Sequence, residues 1–391
     1  MNKKILIGIA GILTAIIAFS PIFGKVHTSN AVHAETAQPN LATTCKSAML
    51  LDANTGTVVF EKNTKQHLQI ASMVKIMTLS LAFDEIAKRE ISLDTAVTAS
   101  ENAAAMGGSQ AFLDANAQYR LDELLKSIVV ASANDSCVAV AEYLYGSVDS
   151  FVAAMNERAQ KMGLSDTKFV NCTGLPKEGQ YSCAADVAVM FKDLMSNEKF
   201  FEYAKVWMYD FSHPSGRVTG LTNTNKLIRF YDGCDGGKTG YTDAARSCIT
   251  VTAKRGDTRL ICVAIGAENS KTRNKEVSEM LNYGFANYKT VYAVQKGEVL
   301  GEYGVDGGKT DKITAVAQDD FSVFVKCGDK SDVTLQIDIK GLSAPITKGQ
   351  KVGTVNIFVN GEKCGTVSAV AKNGCQKKGY KDILDDFISE W

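Results

Sequence analysis

The alternation of apolar and polar residues predicts strands first and then a long series of helices. Two short apolar runs, 47–51 and 57–61, flank Asn54-Thr55-Gly56, a pattern that predicts a β-hairpin. From residue 72 to 89 apolar residues recur at helical spacing and dominate the segment, which predicts a helix buried on most sides. Further helices are predicted over 121–129, 138–145, 150–162 and 184–195.

Strand-like sequence returns near residue 248. Runs 248–253 and 259–265 flank the turn Arg255-Gly256-Asp257 and predict a second hairpin, which is followed by a helical pattern over 272–288. Because strands stand at both ends of this region with helices between them, we expect the two ends to pair in one antiparallel sheet covered by helices. The predicted fold class is therefore α+β.

Beyond about residue 291 the pattern becomes all-β. Alternating apolar residues over 333–339, and a run over 355–359 that leads into the hairpin turn Asn360-Gly361, predict a small separate β domain. The last stretch, 381–391, places five apolar side chains on one helical face: Ile383, Leu384, Phe387, Ile388 and Trp391. Such a stripe can lie on a membrane surface or pack against the β domain or a partner, and both interpretations stay open.

The first 34 residues differ from the rest of the chain. Lys3 and Lys4 precede an apolar stretch, and Val32-His33-Ala34 offers small residues at a cleavage point, so we predict an export signal, with an uncleaved membrane anchor as the alternative. The predicted organisation has four segments: a signal peptide 1–34, a main domain 35–290, a β domain 291–378 and an amphipathic helix 379–391. The bulk of the chain is then expected outside the cytoplasm.

Charge and cysteine content narrow the classes of function. The 43 basic and 43 acidic residues balance, and loss of residues 1–34 removes three lysines and leaves a net charge of −3, so we expect no nucleic-acid partner. The 10 cysteines neither form Cys-x-x-Cys pairs nor lie near histidines. We expect mostly free, buried thiols; only Cys172 with Cys183 and Cys364 with Cys375 are close enough in sequence to suggest local bridges.

Histidine is scarce, which argues against two common hydrolase chemistries. Of 4 histidines, two fall in the predicted signal, which leaves His67 and His213. A Ser-His-Asp triad needs a histidine base, and a zinc hydrolase usually needs two or more imidazole ligands. We therefore expect no metal and no cofactor, and we interpret both histidines as surface or hydrogen-bonded polar residues.

Three short motifs in a fixed order carry the candidate chemistry: Ser72-Met73-Val74-Lys75, Ser132-Ala133-Asn134 and Lys238-Thr239-Gly240. Singly they are weak, because Ser-x-x-Lys also occurs at 165–168 and 196–199. Their order, and the long apolar helix that follows the first motif, distinguish them. Together they are typical of a serine acyltransferase with a lysine base.

The spacing suits that chemistry. On a helix Ser72 and Lys75 lie on one face, so a neutral Lys75 amine can take the seryl proton, and the helix N-terminus favours the developing negative charge. Ser132 can pass a proton to a leaving amine, and Asn134 can hold both a lysine and a substrate carbonyl. Lys238 adds positive charge at the start of a strand.

The chain resembles the D-alanyl-D-alanine carboxypeptidases, which are low-molecular-mass penicillin-binding proteins, from about Ser47 to Tyr288 and more loosely through the β domain. Four further strings carry the resemblance: Met106-Gly107-Gly108-Ser109, Thr173-Gly174-Leu175-Pro176, Gly179-Gln180-Tyr181-Ser182 and Asn223-Thr224-Asn225-Lys226. The resemblance implies a penicillin-binding/β-lactamase-like main domain that removes the terminal D-alanine of peptidoglycan stem peptides and is inhibited by β-lactams.

It also implies residue roles. Ser72 would be the nucleophile, Lys75 the base, and Ser132 with Asn134 the proton relay. Substrate would bind along Lys238, Thr239, Gly240 and Tyr241, with the N–H groups of Ser72 and Tyr241 as the oxyanion hole. Arg273 would hold the terminal carboxylate, for which a guanidinium is suited. The chain departs from the family pattern at Ala133, at Met73-Val74 and at Tyr241, which puts rate and substrate preference in question.

Three alternative functions compete with the carboxypeptidase interpretation. A serine β-lactamase shares the first step, but the region of Glu178 lacks a Glu-x-x-x-Asn-like loop to activate the deacylating water. A transpeptidase is usually larger and carries extra domains. A wall-binding scaffold without catalysis has no reason to keep the serines and both lysines.

Overall fold

The computed structural model describes residues 40–328 and 332–389. The predicted signal peptide, residues 1–34, lies outside the described residues. Ten α-helices are found within the described residues: α1 Lys75–Lys88, α2 Glu101–Ala104, α3 Leu121–Val130, α4 Asn134–Tyr145, α5 Val148–Lys161, α6 Ala184–Leu194, α7 Glu198–Ala204, α8 Leu227–Phe230, α9 Ser270–Asn287 and α10 Tyr380–Ser389. None of these described helices has the length and apolar character that crossing a bilayer requires.

The strands fall into two groups along the chain. The first group is β1 Ser47–Asp52, β2 Val58–Lys62, β3 Ala96–Thr98, β4 Gln118–Arg120, β5 Met208–Ser212, β6 Val218–Thr222, β7 Cys234–Thr242, β8 Arg246–Arg255 and β9 Thr258–Ala267. The second group is β10 Tyr288–Val294, β11 Val299–Gly304, β12 Lys312–Ala317, β13 Phe321–Lys326, β14 Val333–Asp338, β15 Lys351–Val359 and β16 Glu362–Ala371.

The first domain, from β1 to α9, is built on one antiparallel sheet of order β2-β1-β9-β8-β7. Residues 47–52 of β1 pair with residues 260–265 of β9, so the two ends of the domain meet in the middle of the sheet, as the sequence predicts. The pairs β3-β4 and β5-β6 form small separate two-stranded sheets.

Alternate residues of β9 face two different cores. Ile261, Val263 and Ile265 pack into the larger core, which includes α1 and the other helices of the middle region. Leu260, Cys262 and Ala264 point the other way and pack with buried residues of α9. The period of two in this strand therefore places helices on both faces of the sheet.

Helix α1 lies inside the larger core, as its unusually apolar sequence predicts. Ten of its 14 residues are buried, including Lys75, whose side chain has no exposed surface. A lysine at such a position is costly unless polar groups surround it or its pKa falls. The first residue of α1 is therefore a buried lysine whose charge depends on its polar surroundings.

The second domain is all-β and ends in helix α10. Its main sheet has the order β11-β12-β16-β15-β14, and β10 pairs separately with β13. Strands β15 and β16 meet at Asn360-Gly361, as predicted. On α10, four large apolar side chains are exposed: Tyr380, Leu384, Phe387 and Ile388.

The ten cysteines are all free, and eight of them are buried. Neither of the two local bridges that the spacing suggests is formed. Buried Cys45 donates a hydrogen bond to Glu276 of α9, whose carboxylate also accepts from Thr43 and Thr44. This carboxylate ties the first described residues of the chain to the last helix of the first domain.

Candidate active site

Ser72 lies in a single 3₁₀ turn, Ala71–Val74, directly before α1. The α-helix therefore begins at Lys75, three residues later than the sequence pattern predicts. Ala71 has φ +47°, a left-handed conformation that non-glycine residues rarely adopt and that turns the chain sharply before the serine. The Nζ of Lys75 lies 3.1 Å from the Oγ of Ser72, so the predicted pair is brought within hydrogen-bond distance.

Lys75 makes two further and shorter contacts. Its Nζ lies 2.6 Å from Oδ1 of Asn134 and 2.5 Å from the carbonyl oxygen of Thr173. Complete burial lowers the pKa of the Lys75 amine below its usual value, because removal of water penalises the charged form. The neutral amine that proton abstraction requires is thus favoured by the fold.

Ser132 and Asn134 stand on either side of buried Ala133, between α3 and α4. Ser132 has φ +65°, and its Oγ accepts a hydrogen bond of 2.8 Å from the Nζ of Lys238. Asn134, the first residue of α4, donates to the carbonyl of Gly107 at 2.7 Å. The site therefore holds two serine–lysine pairs, Ser72 with Lys75 and Ser132 with Lys238.

Lys238 lies in the middle of β7 rather than at its start, which corrects the sequence prediction. The strand begins four residues earlier, at Cys234, and pairs with β8 along its length. The pKa of the buried Lys238 amine is well below its usual value, first because of burial and then because the Lys75 and Arg273 cations are near. Thr239 donates from its hydroxyl to that of Thr224 at 2.8 Å.

Gly240 lets β7 pass directly beside the nucleophile. A Cβ at this position would lie 2.6 Å from the carbonyl oxygen of Ile70 and 3.0 Å from the N of Ser72. Gly240 is expected on the substrate-binding strand, and in the structure its close contact is with the Ser72 turn. The next residue, Tyr241, exposes 61% of its surface.

Arg273 is buried in α9 behind the same strands. Its Nη1 donates to the carbonyl of Cys248, the residue paired with Gly240, and its other donors reach Asn274. Burial lowers its pKa to about 10. Within residues 40–328 and 332–389 it forms no ion pair, so this guanidinium can still bind a carboxylate.

The carbonyl of Thr173 was not predicted from the sequence. A backbone group leaves no direct trace in a sequence, although Thr173-Gly174 was noted as a string without a role. The signal was Gly174, which has φ +83° and whose Cβ would lie 2.1 Å from the carbonyl oxygen of Ala71. Only glycine allows this loop to touch the peptide before Ser72.

The two histidines lie in ordinary polar surroundings, as expected. His67 stacks on Tyr181 and contacts Asp166. His213 is buried and contacts the hydroxyls of Tyr119 and Thr219. Among the described residues neither histidine is hydrogen-bonded to Ser72 or Ser132, so neither occupies the position of a catalytic base.

Comparison with known families identifies the class of protein. The family model described as D-alanyl-D-alanine carboxypeptidase matches residues 32–269, and the one described as penicillin-binding protein 5, C-terminal domain, matches residues 288–377. The chain belongs to the D-alanyl-D-alanine carboxypeptidase family. The alternatives of a β-lactamase and of a non-catalytic scaffold are not favoured.

Individual relatives and solved structures extend the likeness along the chain. The D-alanyl-D-alanine carboxypeptidase DacF of Bacillus subtilis is 38% identical over 100% of this chain and 98% of its own length. DacC of Escherichia coli is 31% identical over 87% of this chain and 86% of its own length. The structure of penicillin-binding protein 5 from Haemophilus influenzae, 29% identical, covers 87% of this chain and 99% of its own with a TM-score of 0.70.

Proposed function

We propose that this protein is a serine carboxypeptidase that removes the terminal D-alanine from peptidoglycan stem peptides, with Ser72 as the nucleophile and Lys75 as the base. The observation that carries the proposal is the 3.1 Å contact between the Nζ of a fully buried lysine and the Oγ of a serine. Burial favours the neutral amine, and a neutral amine at this distance can accept the seryl proton.

The reaction then proceeds in two steps. The Oγ of Ser72 attacks the carbonyl carbon between the two D-alanines while its proton moves to Lys75, and the N–H groups of Ser72 and Tyr241 stabilise the oxyanion. The C–N bond breaks as the departing D-alanine amine takes a proton through the hydroxyl of Ser132, which Lys238 holds at 2.8 Å. Water then hydrolyses the seryl ester and regenerates Ser72.

Two basic side chains suit a substrate that ends in a free carboxylate. Lys238 lies on the strand beside the nucleophile, and Arg273 lies behind it without an acidic partner in the described part of the chain. We assign Lys238, Thr239, Gly240 and Tyr241 to substrate binding and Arg273 to the terminal carboxylate. A β-lactam carries a carboxylate beside its reactive amide and would acylate Ser72 in the same way.

The test is covalent labelling by a fluorescent penicillin together with D-alanine release from an acyl-D-Ala-D-Ala peptide. Ser72→Ala is expected to lower both by about a thousandfold or more, because no other group can form the ester. Ser165→Ala is a matched control, since Ser165 opens another Ser-x-x-Lys string but is exposed. If Ser72→Ala still becomes labelled, the assignment of the nucleophile is wrong.

We also propose that the protein acts outside the cytoplasm, with residues 1–34 as its export signal, and that the domain limits lie near residues 290 and 378.

The exposed apolar residues of α10 support contact with a membrane surface. Removal of residues 380–391 is expected to reduce sedimentation with lipid vesicles without reducing penicillin labelling. Unchanged sedimentation would reject the membrane contact.

A further inference from the structure

The three hydrogen-bond partners of Lys75 differ in what they can donate. The carbonyl oxygen of Thr173 and the Oδ1 of Asn134 only accept, whereas the hydroxyl of Ser72 can also donate. A neutral amine has two N–H groups and one lone pair. With both N–H groups directed to the two acceptors, at 2.5 and 2.6 Å, the lone pair points to Ser72.

One side chain holds the turn that presents the Thr173 carbonyl. The Oδ1 of Asn171 accepts from the N–H of Thr173 at 3.2 Å and from that of Gly174 at 2.7 Å. Its Nδ2 donates to the carbonyl of Leu175 at 2.9 Å. A single amide therefore closes the turn from both sides, and the turn depends on it for its shape.

The same turn packs on the nucleophile segment. The space that a Cβ of Gly174 would need is filled by the carbonyl of Ala71, the residue before Ser72. At the base of the loop, the Oε1 of Gln180 accepts from the N–H groups of Val170 and Asn171 at 3.1 and 3.2 Å. A small change in the turn would thus move the acceptor of the Lys75 amine relative to Ser72.

We propose that Asn171 is a positioning residue for the general base: it fixes the Thr173 carbonyl, and this carbonyl orients the lone pair of Lys75 toward Ser72. The inference rests on the proposed function, in which Lys75 takes the proton of Ser72. Asn171 itself has no hydrogen bond to Ser72 or Lys75, so it acts only through the turn.

The pH dependence of acylation reports on this contact. A carbonyl acceptor stabilises an ammonium more than an amine, so its loss lowers the pKa of Lys75. The other titratable groups that face Lys75 come from three elements: Asp135 and Cys137 of α4, Cys172 of the loop, and Lys238 of β7. Asp135 is already held by the N–H groups of Ala111 and Leu113.

The experiment measures the second-order rate of acylation by a fluorescent penicillin from pH 5 to 10, normalised to the fraction of labelled sites. For Asn171→Ala we expect the plateau rate to fall about tenfold or more and the acidic limb to move to lower pH. Asn171→Asp keeps the oxygen that accepts from Thr173 and Gly174, so it should recover most of the plateau rate. Its added negative charge should move the limb to higher pH.

Asn156→Ala is the matched control. Asn156 holds the same loop through two hydrogen bonds with the backbone of Phe169, both of 2.9 Å, but does not contact the Thr173 turn. Loss of the Asn156 side chain should lower the melting temperature. It should leave the plateau rate of acylation and the position of the acidic limb unchanged. The proposal is overturned if Asn171→Ala keeps the wild-type profile, or if Asn156→Ala changes the profile equally.

The same variants also distinguish misfolding of Asn171→Ala from failure of the proposed function. If Asn171→Ala does not yield folded protein, Asn171→Asp decides, because an unchanged acidic limb in that variant would reject the inference. Failure of the proposed function itself would appear as labelling of Ser72→Ala, whatever the Asn171 variants do.

Discussion

Both serines of the site are associated with a backbone position of positive φ. Ser72 follows such a position, and Ser132 occupies one. Ala71 has φ +47° and Ser132 itself has φ +65°, conformations that cost roughly 1 kcal/mol or more for a residue with a Cβ. Both serines point toward buried lysines. The strained backbone therefore occurs where each hydroxyl contacts an amine. The surrounding core, with α1 at its centre, holds the strained residues in place.

Burial of Lys75 leads to a prediction about pH. Because the amine must be neutral to accept a proton, acylation should rise with pH through the pKa of Lys75 and then reach a plateau. Burial lowers that pKa, so the plateau should begin at a lower pH than it would for a lysine with the ordinary pKa of 10.5. The rate of acylation by a chromogenic penicillin, corrected for its spontaneous hydrolysis at each pH, measures this. A rate that still rises tenfold per pH unit near pH 10 would contradict it.

Among the elements, β7 shows where sequence reasoning fell short. The segment 234–237 holds two glycines, Gly236 and Gly237, and glycine is disfavoured in strands, so the strand was predicted to begin only at Lys238. In the fold a Cβ at Gly236 would lie 3.1 Å from Phe200, and one at Gly237 would lie 2.6 Å from the carbonyl of Thr250. Tertiary packing therefore requires glycine at both positions, although glycine is locally unfavourable in a strand.

The long helices and the hairpins β1-β2, β8-β9 and β15-β16 were predictable because their sequence patterns are local. Alternation in β14 and apolar dominance in α1 are legible in the sequence itself. The β5-β6 hairpin was not predicted, because its exposed residues, such as Met208 and Val218, do not alternate clearly with polar ones. The Thr173 carbonyl could not be predicted either, since it depends on how a loop folds onto a distant helix.

Gly240 gives a prediction at the same scale. Gly240→Ala should push β7 away from the Ser72 turn, because its Cβ would lie 2.6 Å from the Ile70 carbonyl, and acylation by penicillin should fall about tenfold or more. Gly220→Ala on β6 is the control, because a Cβ there has no atom within 4 Å. Equal rates for both variants and the unmodified protein would show that the close approach is unimportant for acylation.

At the scale of the whole molecule, the second domain contacts the first through β10, the strand that follows α9 directly. Thr290 of β10 donates from its N–H to the hydroxyl of Thr258 at 2.8 Å and from its own hydroxyl to buried Asp52 at 3.3 Å. Tyr288 stacks on Phe324 of β13 nearby. The partners of Thr290 lie at the last residue of β1 and the first residue of β9, and neither partner is one of the site residues.

The thiols allow a whole-molecule test of the fold. Of ten free cysteines only Cys327 and Cys364 are exposed, so a disulfide reagent such as dithiobis(nitrobenzoate) should react rapidly with two thiols per native chain. After unfolding in urea without a reductant, ten should react. The double variant Cys327→Ser, Cys364→Ser should lose the rapid phase. Fewer than ten thiols in the unfolded chain would reveal disulfides that the structure lacks.

The pairing of β1 with β9 has a consequence for how the protein acquires its structure. Ser47 pairs with Ile265, so β1 has no neighbour on its β9 side until more than two hundred further residues have been synthesised. Closing a loop of that length costs roughly 5 kcal/mol of chain entropy, which local contacts cannot repay early. The five-stranded sheet therefore cannot be completed until β9 has been synthesised, and β1 must remain available for pairing until then.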